Sequence, residues 1–384
     1  MLDLIFQASA PPSMSPLGPF MVVEALLPLG GGHPYKGIRV RSGYNAVTLK
    51  TLPGFAEVLA PITKIQRCCA DLPDVQVNNH IRHQQLVIRC QGLPPTRTAI
   101  VHAVDPVSIA GAVEAANLGL IDPIFVGPEA KIRAAAKAAS IDLSKYRLIT
   151  TPHSHAAAAK AVALARAGEV EALMKGSLHT DELMHEVLLA DSGLRTERRV
   201  SHVYLFDVVV YPRPLLITDA AINIQPSLSD KRDICQNAID LAHILGIPDP
   251  KVAILSAVET VSDKLPSTLD AAALCKMADR GQIRGGQLDG PLAFDNAVSP
   301  EAARTKQIVS PVAGQADILL VPDLESGNML AKQLTFFDGA DAAGIVLGAR
   351  LPIILPSRAD SARTRIASCA IATLIADARR RTVT

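Results

Sequence analysis

Between Pro356 and Ser361 the chain reads P-S-R-A-D-S, which places a hydroxyl (Ser357), a guanidinium (Arg358) and a carboxylate (Asp360) within one short turn of sequence. A guanidinium can hold an anionic group through two parallel hydrogen bonds, and a carboxylate within reach can take a proton from a nucleophile. At the start of a helix, free backbone N–H groups add anion affinity. The trio therefore suits group transfer at an anion. An ordinary helix start, with Asp360 or Ser361 as cap and Arg358 in solvent, is the plain alternative. A second polar set lies in PDLESGNMLAK, where Asp323, Asn328 and Lys332 are candidates for binding substrate and Lys332 could meet a phosphate as a point charge. Glu325 in the same run reads as a solvated helix face. Asp219 and Asn223, in TDAAIN, form a third set at the end of an apolar run, where a strand-end turn is equally compatible. Lys175 precedes Gly176-Ser177 without a P-loop pattern, so a strand-end lysine fits as well as a phosphate ligand.

The elements that must position these residues are short apolar runs. Ile318 to Val321, Gly344 to Leu347 and Pro352 to Leu355 read as buried strands, each ending in small or polar residues. In an open parallel sheet, loops leaving the carboxyl ends of the strands converge on a crevice. That logic predicts Asp323, Glu325, Asn328, Ser357, Arg358 and Asp360 around one site.

Upstream the alternation of strand and helix is regular. TAIVHA (98–103) predicts a strand, 106–118 a helix, PIFV (123–126) a strand, and 131–139 and 154–167 alanine-rich helices, the second closed by Gly168. Runs 170–174, 202–211, 214–217 and 251–257 predict further strands, with 202–211 and 214–217 as antiparallel neighbours or a crossing between domains, and 229–245 predicts an amphipathic helix. GQIRGGQLDGPL (281–292) lacks nucleotide-loop spacing and reads as a turn or hairpin around Asp289-Gly290. A short helix is expected over 300–308 and a final one over 361–378. The pattern predicts an α/β fold with a mostly parallel sheet. Residues 1–80, rich in proline and glycine, carry no functional signal, although 38–49 alternates weakly like a short strand or hairpin.

Composition narrows the class further. A chain of 384 residues predicts more than one domain, and 49% apolar with 3% aromatic content suits helices packed closely on a sheet. A net charge of +1 gives no electrostatic case for nucleic acid or for an acidic membrane. The apolar stretch 17–29 is short and broken by Pro19, Glu24 and Pro28, which predicts neither a membrane span nor a signal peptide. The six cysteines (Cys68, Cys69, Cys90, Cys235, Cys275, Cys369) show no zinc spacing and read as free thiols of a reducing cytoplasm; Cys235 and Cys275 read as core thiols on helices. His179 and His185 are not an i, i+4 pair and read as non-metal residues.

VPDLESGNMLAKQL followed by GIVLGARLPIILPSRADS resembles the phosphate acetyl/butyryltransferase family, and the likeness extends through LHTDEL, ITDAAINIQPSLSDKRDICQNAIDLA and LDGPLAFDNAVS, roughly Gln91 to Asp377. The resemblance implies two α/β domains around a cleft, similar to isocitrate and isopropylmalate dehydrogenases. The first would be discontinuous (81–211 plus 349–384) and the second would span 212–348. It implies transfer of a short acyl group between coenzyme A and phosphate in a ternary complex, with coenzyme A as substrate, no tightly bound cofactor and no obligatory metal. A cytoplasmic homodimer is expected. The family's Ser-Arg pair after the last strand maps onto Ser357 and Arg358. Its aspartate base lies further along the final helix, where this chain has Arg363-Thr364-Arg365, so Asp360 is the first substitute and Asp323 the second. A non-catalytic binding protein of the same fold and, behind it, a metal- and NAD-dependent decarboxylating dehydrogenase are the alternative readings.

Overall fold

The computed structural model describes residues 22–27, 36–41, 81–357 and 360–383. The chain divides into two compact units, Met1–Gln76 and Val77–Thr384. In the first, β1 (Val22–Leu27) and β2 (Lys36–Arg41) pair antiparallel, Val22 opposite Arg41. Most of the alternation expected over 38–49 lies outside the described residues.

The second unit is built on one eleven-stranded sheet. Its strands are β3 (Thr96–Val101), β4 (Ile121–Gly127), β5 (Arg147–Thr150), β6 (Ala172–Lys175), β7 (Ser201–Asp207), β8 (Leu215–Thr218), β9 (Lys251–Leu255), β10 (Gln287–Leu292), β11 (Ile318–Leu320), β12 (Asp341–Leu347) and β13 (Ile353–Ile354). They lie in the order β10-β9-β11-β8-β7-β12-β13-β6-β3-β4-β5. Two parallel blocks, β10-β9-β11-β8 and β13-β6-β3-β4-β5, flank the central pair β7 and β12, and each of the three junctions β8/β7, β7/β12 and β12/β13 is antiparallel. Three reversals in succession leave the blocks pointing in opposite directions.

Two sequence expectations change as a result. The runs ending at Val321, Leu347 and Leu355 are not three strands of one parallel set, since β12 is antiparallel to both neighbours and β11 and β13 belong to opposed blocks. Hydrophobic runs report burial on both faces, and burial carries no direction. The glycine-rich stretch 281–292 is not a hairpin either. Its second half is the edge strand β10, parallel to β9 with a bulge between Asp289 and Leu292. The expected antiparallel pairing of β7 with β8 is present.

Eleven helices connect these strands among the described residues: α1 (Ile81–Arg89), α2 (Pro106–Asn117), α3 (Glu129–Ala138), α4 (Ser154–Arg166), α5 (Thr180–Leu188), α6 (Leu228–Ile244), α7 (Pro266–Asp279), α8 (Phe294–Val298), α9 (Pro300–Thr305), α10 (Leu324–Phe336) and α11 (Ala362–Val383). Their starts are written locally. Asp105 accepts from the Ser108 N–H at 2.8 Å with proline at the first helical position of α2, Ser227 and Asp230 form a capping box on α6, and Asp323 accepts from the Ser326 N–H at 2.8 Å on α10. The short helix expected over 300–308 is α9, which ends at Thr305 and follows the separate short helix α8. No helix of the described residues is long and apolar enough to cross a membrane.

The two faces of the sheet are covered differently. On one, α1, α2, α3, α6, α7 and α11 share a continuous core that includes Ile109, Ile234, Leu274 and Ala370 and takes Val203, Leu205, Ala343 and Ile345 from the central strands. On the other face the core is split. One cluster holds Ala161, Leu183 and Val346 beneath α4 and α5, and a separate one holds Phe206, Ala297, Leu334 and Ala342 beneath α8 and α10. The break falls on β7 and β12, where Tyr204 pairs with Gly344 between Val346 on one side and Phe206 on the other. Alternation along a strand explains why one strand pair can close one core and open a gap in the other.

Candidate active site

The end of β6 is built for close approach. A Cβ on Gly176 would come within 2.6 Å of the Val101 carbonyl oxygen and 2.8 Å of Ala103, so the glycine lets β6 run tightly against the end of β3. The Gly176 N–H donates to Val101 and the Ser177 N–H to His102. Lys175, only 7% exposed, turns its ammonium toward the carbonyls of Gly176 and Leu178 at 3.4 Å each. The Ser177 hydroxyl donates to Asp105, whose Oδ2 also accepts from the Ser108 hydroxyl at 2.5 Å. Burial alone would raise the Asp105 carboxyl, but these bonds outweigh it and hold it below the usual carboxylate range.

Beside it, Ile354 of β13 pairs with Met174 of β6, so the chain leaves β13 toward Ser357 alongside Lys175. The turn that follows is closed by its own side chains. Asp360 Oδ2 accepts from the Ser357 N–H at 2.7 Å, and Arg365 Nη2 donates to the Ser357 carbonyl at 2.7 Å. Ser361, not Asp360, caps α11, accepting from the Thr364 N–H at 3.1 Å. Burial pushes the Asp360 carboxyl above its ordinary value, against the Ser357 N–H and the positive fields of Arg365 and Lys175. Arg365 is 3% exposed, and its Nε has no hydrogen-bond partner among the described residues. Arg358 lies outside the described residues.

The other side of the gap belongs to the opposed block. Asp219, 2% exposed, follows β8 and is saturated: it accepts from the N–H groups of Ala221, Ile222 and Asn223 and from the Asn223 side chain at 2.6 Å. Burial raises its carboxyl and these bonds oppose the rise. Asn223 also accepts from Arg199 at 2.6 Å and donates to Val200. Asn328 donates to the Ala220 carbonyl at 3.1 Å, Asp323 caps α10, and both Glu325 and Lys332 are exposed. Asp323 and Asn328 of the second sequence set thus meet the third set, fixed by hydrogen bonds, at the end of β8 and the start of α10, while Lys332 lies exposed further along that helix. The Ser357–Asp360 turn lies off the opposite block.

Tyr204 links them. Its ring sits 4.3 Å from that of His202 and 5.6 Å from that of Phe206, at the break in the split core. Burial and the negative fields of Asp360 and Asp219 push its phenol up to about 12. Burial lowers the neighbouring His202 to about 3, so it stays neutral. Neither Tyr204 nor Arg365 stands out in the sequence: one is inside the apolar run HVYLFD, the other is the second arginine of Arg363-Thr364-Arg365 on the final helix. The only signal for Tyr204 was a hydroxylated aromatic in mid-strand.

A cavity of about 430 Å³ opens nearby, lined by Leu188, Arg195, Arg199, Val200 and Ile222. Its charges are largely cancelled, the Arg199 guanidinium facing Asp230, and Asp233 accepting from the Arg199 backbone N–H and pairing with Arg232, so it offers little net attraction for an anion. Cys235 is fully buried, and burial pushes its thiol, like that of Cys275, well above the ordinary range. Cys68 and Cys69 lie outside the described residues.

A family model described as "Phosphate acetyl/butaryl transferase" matches residues 150–373, which span both the Lys175 end and the Ser357–Asp360 turn. This chain belongs to that family. It is 63% identical over 299 residues to a phosphate acetyltransferase of Rhizobium meliloti, covering 78% of this chain and 95% of that protein. To a phosphate butyryltransferase of Clostridium acetobutylicum it is 40% identical over 292 residues, covering 76% and 97%. Among solved structures, a branched-chain phosphotransacylase from Enterococcus faecalis V583 superposes with a TM-score of 0.64 at 29% identity, over 73% of this chain and 99% of that one. A phosphotransacetylase from Streptococcus pyogenes shares the fold with a TM-score of 0.67 at 24% identity, over 77% and 98%. The acyltransferase family therefore accounts for the α/β part of the chain, and the expected family and fold class hold.

Proposed function

We propose that this acyltransferase moves a short acyl group, acetyl first among the candidates, between coenzyme A and inorganic phosphate within a ternary complex. The observation that carries the reading is the placement of a half-buried carboxyl, Asp360, in the field of the buried ammonium of Lys175, on turns leaving two adjacent parallel strands. The preference for acetyl rests on the higher identity to an acetyltransferase than to a butyryltransferase.

In the direction of acyl-CoA synthesis, Asp360 removes the thiol proton of coenzyme A. A carboxylate with a raised pKa is a better match to a thiol than an ordinary one, because proton transfer is less uphill. The thiolate attacks the acyl phosphate carbonyl and phosphate departs. Lys175 supplies positive charge where phosphate charge develops, and Arg358, carried over from the family's Ser-Arg pair, supplies a two-pronged contact. Ser357, its backbone held from both sides by Asp360 and Arg365, offers a hydroxyl at a fixed place. Asp219 and Asn223 act by holding the opposite wall of the substrate cleft in shape, with Asp323, Asn328 and Lys332 on the adjoining helix, and the two sheet blocks form the two domains expected from the sequence.

The reading also includes a cytoplasmic homodimer. Val209, Val210, Phe336 and Phe337 are 52%, 89%, 72% and 88% exposed, and a second copy is the natural cover for such residues. Light scattering should give twice the mass of the chain, and a monomer at micromolar concentration would refute it. The reaction itself is tested by thiol release in Ellman's reagent with phosphate and a panel of acetyl-, propionyl-, butyryl- and longer acyl-CoAs. Phosphate-dependent release that is fastest with acetyl-CoA is expected, whereas no release with any donor would sink the assignment.

A further inference from the structure

We infer that the Tyr204 hydroxyl is a catalytic hydrogen-bond donor to the acyl carbonyl oxygen, set in the floor of the cleft between the Ser357–Asp360 turn and the Asp219–Asn223 turn. The inference rests on the acyl-transfer reading and adds a residue to it.

Three observations place the hydroxyl. First, the core on this face is divided, and Tyr204, paired with Gly344, lies at the margin of the Phe206 cluster, packed against it on one side and only partly buried. Second, the partner position is a glycine against which the rings lie closely: a Cβ on Gly344 would come 2.7 Å from His202 Nε2 and 3.3 Å from Tyr204 Cε1. Third, the ring is braced by His202 and Phe206 on its own strand, which fixes the direction of its hydroxyl.

Charge then fixes its role. The groups facing the phenol are Asp360 from the β13–α11 turn and Asp219 from the end of β8, both negative when ionised, while His202 beneath it is held neutral. Two carboxylates on either side disfavour a phenolate, so the hydroxyl keeps its proton across the working pH range. A protonated phenol in a partly dry cleft can donate to an oxygen whose charge grows during reaction.

The step balances without consuming that proton. An oxygen of hydrogen phosphate attacks the carbonyl carbon of acyl-CoA and gives its proton to ionised Asp360, a C–O bond forms, and the carbonyl electron pair moves to oxygen, where the Tyr204 O–H donates to it. On collapse the carbonyl reforms, the C–S bond breaks, sulfur leaves with the bonding pair, and Asp360 passes it that same proton and is again a carboxylate. Tyr204 begins and ends as a phenol.

The test is Tyr204→Phe, which keeps the ring stack and the floor and removes only the oxygen. A fall in kcat of ~10- to 100-fold is expected, with the KM values for acetyl-CoA and phosphate within ~3-fold of the parent protein, as for loss of a donor used mainly in the transition state. Should the variant lose thermal stability, trifluorotyrosine at position 204 decides. A donor that must stay protonated gives a pH–rate profile whose alkaline limb moves toward neutrality as fluorination lowers the phenol pKa, while a structural ring leaves the profile where it was. Unchanged kcat in Tyr204→Phe, or an alkaline limb that ignores fluorination, overturns the inference. A parent protein with no phosphate-dependent turnover would instead overturn the acyl-transfer reading beneath it.

Discussion

Replacing Asp360 by asparagine separates catalysis from stability. The Ser357 N–H donates to Asp360 Oδ2 at 2.7 Å, and an asparagine oxygen can occupy the same place, so the 357–360 turn keeps its shape. What changes is the charge. Because burial raises the Asp360 pKa in the folded protein, the native state binds more protons than the unfolded chain between the ordinary aspartate value of 3.8 and the raised one. Stability therefore falls as pH climbs through that window, and at neutral pH the ionised group is a liability to the fold. The asparagine variant escapes that cost and gives up only the charge-assisted part of one hydrogen bond, about 1 kcal/mol. For a unit of this size the two opposing effects leave Tm within roughly 4 °C of the parent. Activity moves much further: removing the group that carries the thiol proton should lower kcat by ~10²- to 10⁴-fold. The acid limb of kcat/KM, expected above the ordinary aspartate range in the parent protein, should vanish in the variant. The assay is thiol release or consumption across pH 4 to 9, paired with thermal melts at pH 5 and 7. Activity within ~10-fold of the parent, or a large loss of Tm, would show that Asp360 is a structural turn residue and that the proton acceptor lies elsewhere.

Other perturbations address other parts of the argument. Lys175→Met preserves the apolar stem of a side chain that is 7% exposed and removes its charge; the KM for phosphate should rise ~10-fold or more while the apparent affinity for coenzyme A changes little, and steady-state kinetics with phosphate varied will decide. The same change should raise the Asp360 pKa further, since it removes a positive field, moving the acid limb to higher pH. Glu171 is held at about 2, down from 4.5, chiefly by the paired bonds from Arg380 Nε and Nη2 at 2.7 and 2.8 Å, with help from Arg97. A depressed carboxylate contributes stability that is full above 4.5 and is lost as pH falls toward 2, so Glu171→Gln should cost roughly 1–2 kcal/mol at neutral pH, after allowance for its partial exposure, and nothing near pH 2. Denaturation by urea at pH 7 and at pH 3 would reveal a pH-independent loss if the pair were merely packing.

The sequence by itself determined a good deal. Apolar runs and their punctuation gave the strands and helices of the α/β unit because burial on two faces and capping are local, periodic demands that leave a mark in residue order. Blocks such as LPSRADS and PDLESGN fixed the family and pointed to Ser357 and Asp360. Tertiary structure decided what no local pattern could encode. Strand direction is set by pairing with distant partners, and only the three antiparallel junctions around β7 and β12 revealed that Asp323 and Asp360 leave opposed blocks. Residue order favoured Asp360 as a helix cap over a base, while in space Ser361 takes the cap and Asp360 closes the turn before it. Tyr204 was invisible for the same reason: a tyrosine in an apolar strand reads as core, and its hydroxyl acquires a task only because the packed layer above it divides into two. Lys175 looked like any strand-end lysine until the pairing of β13 with β6 brought a half-buried carboxyl into its field. Chemistry at this site depends on the electrostatic field at a point, and that field is summed over residues more than a hundred positions apart in the chain.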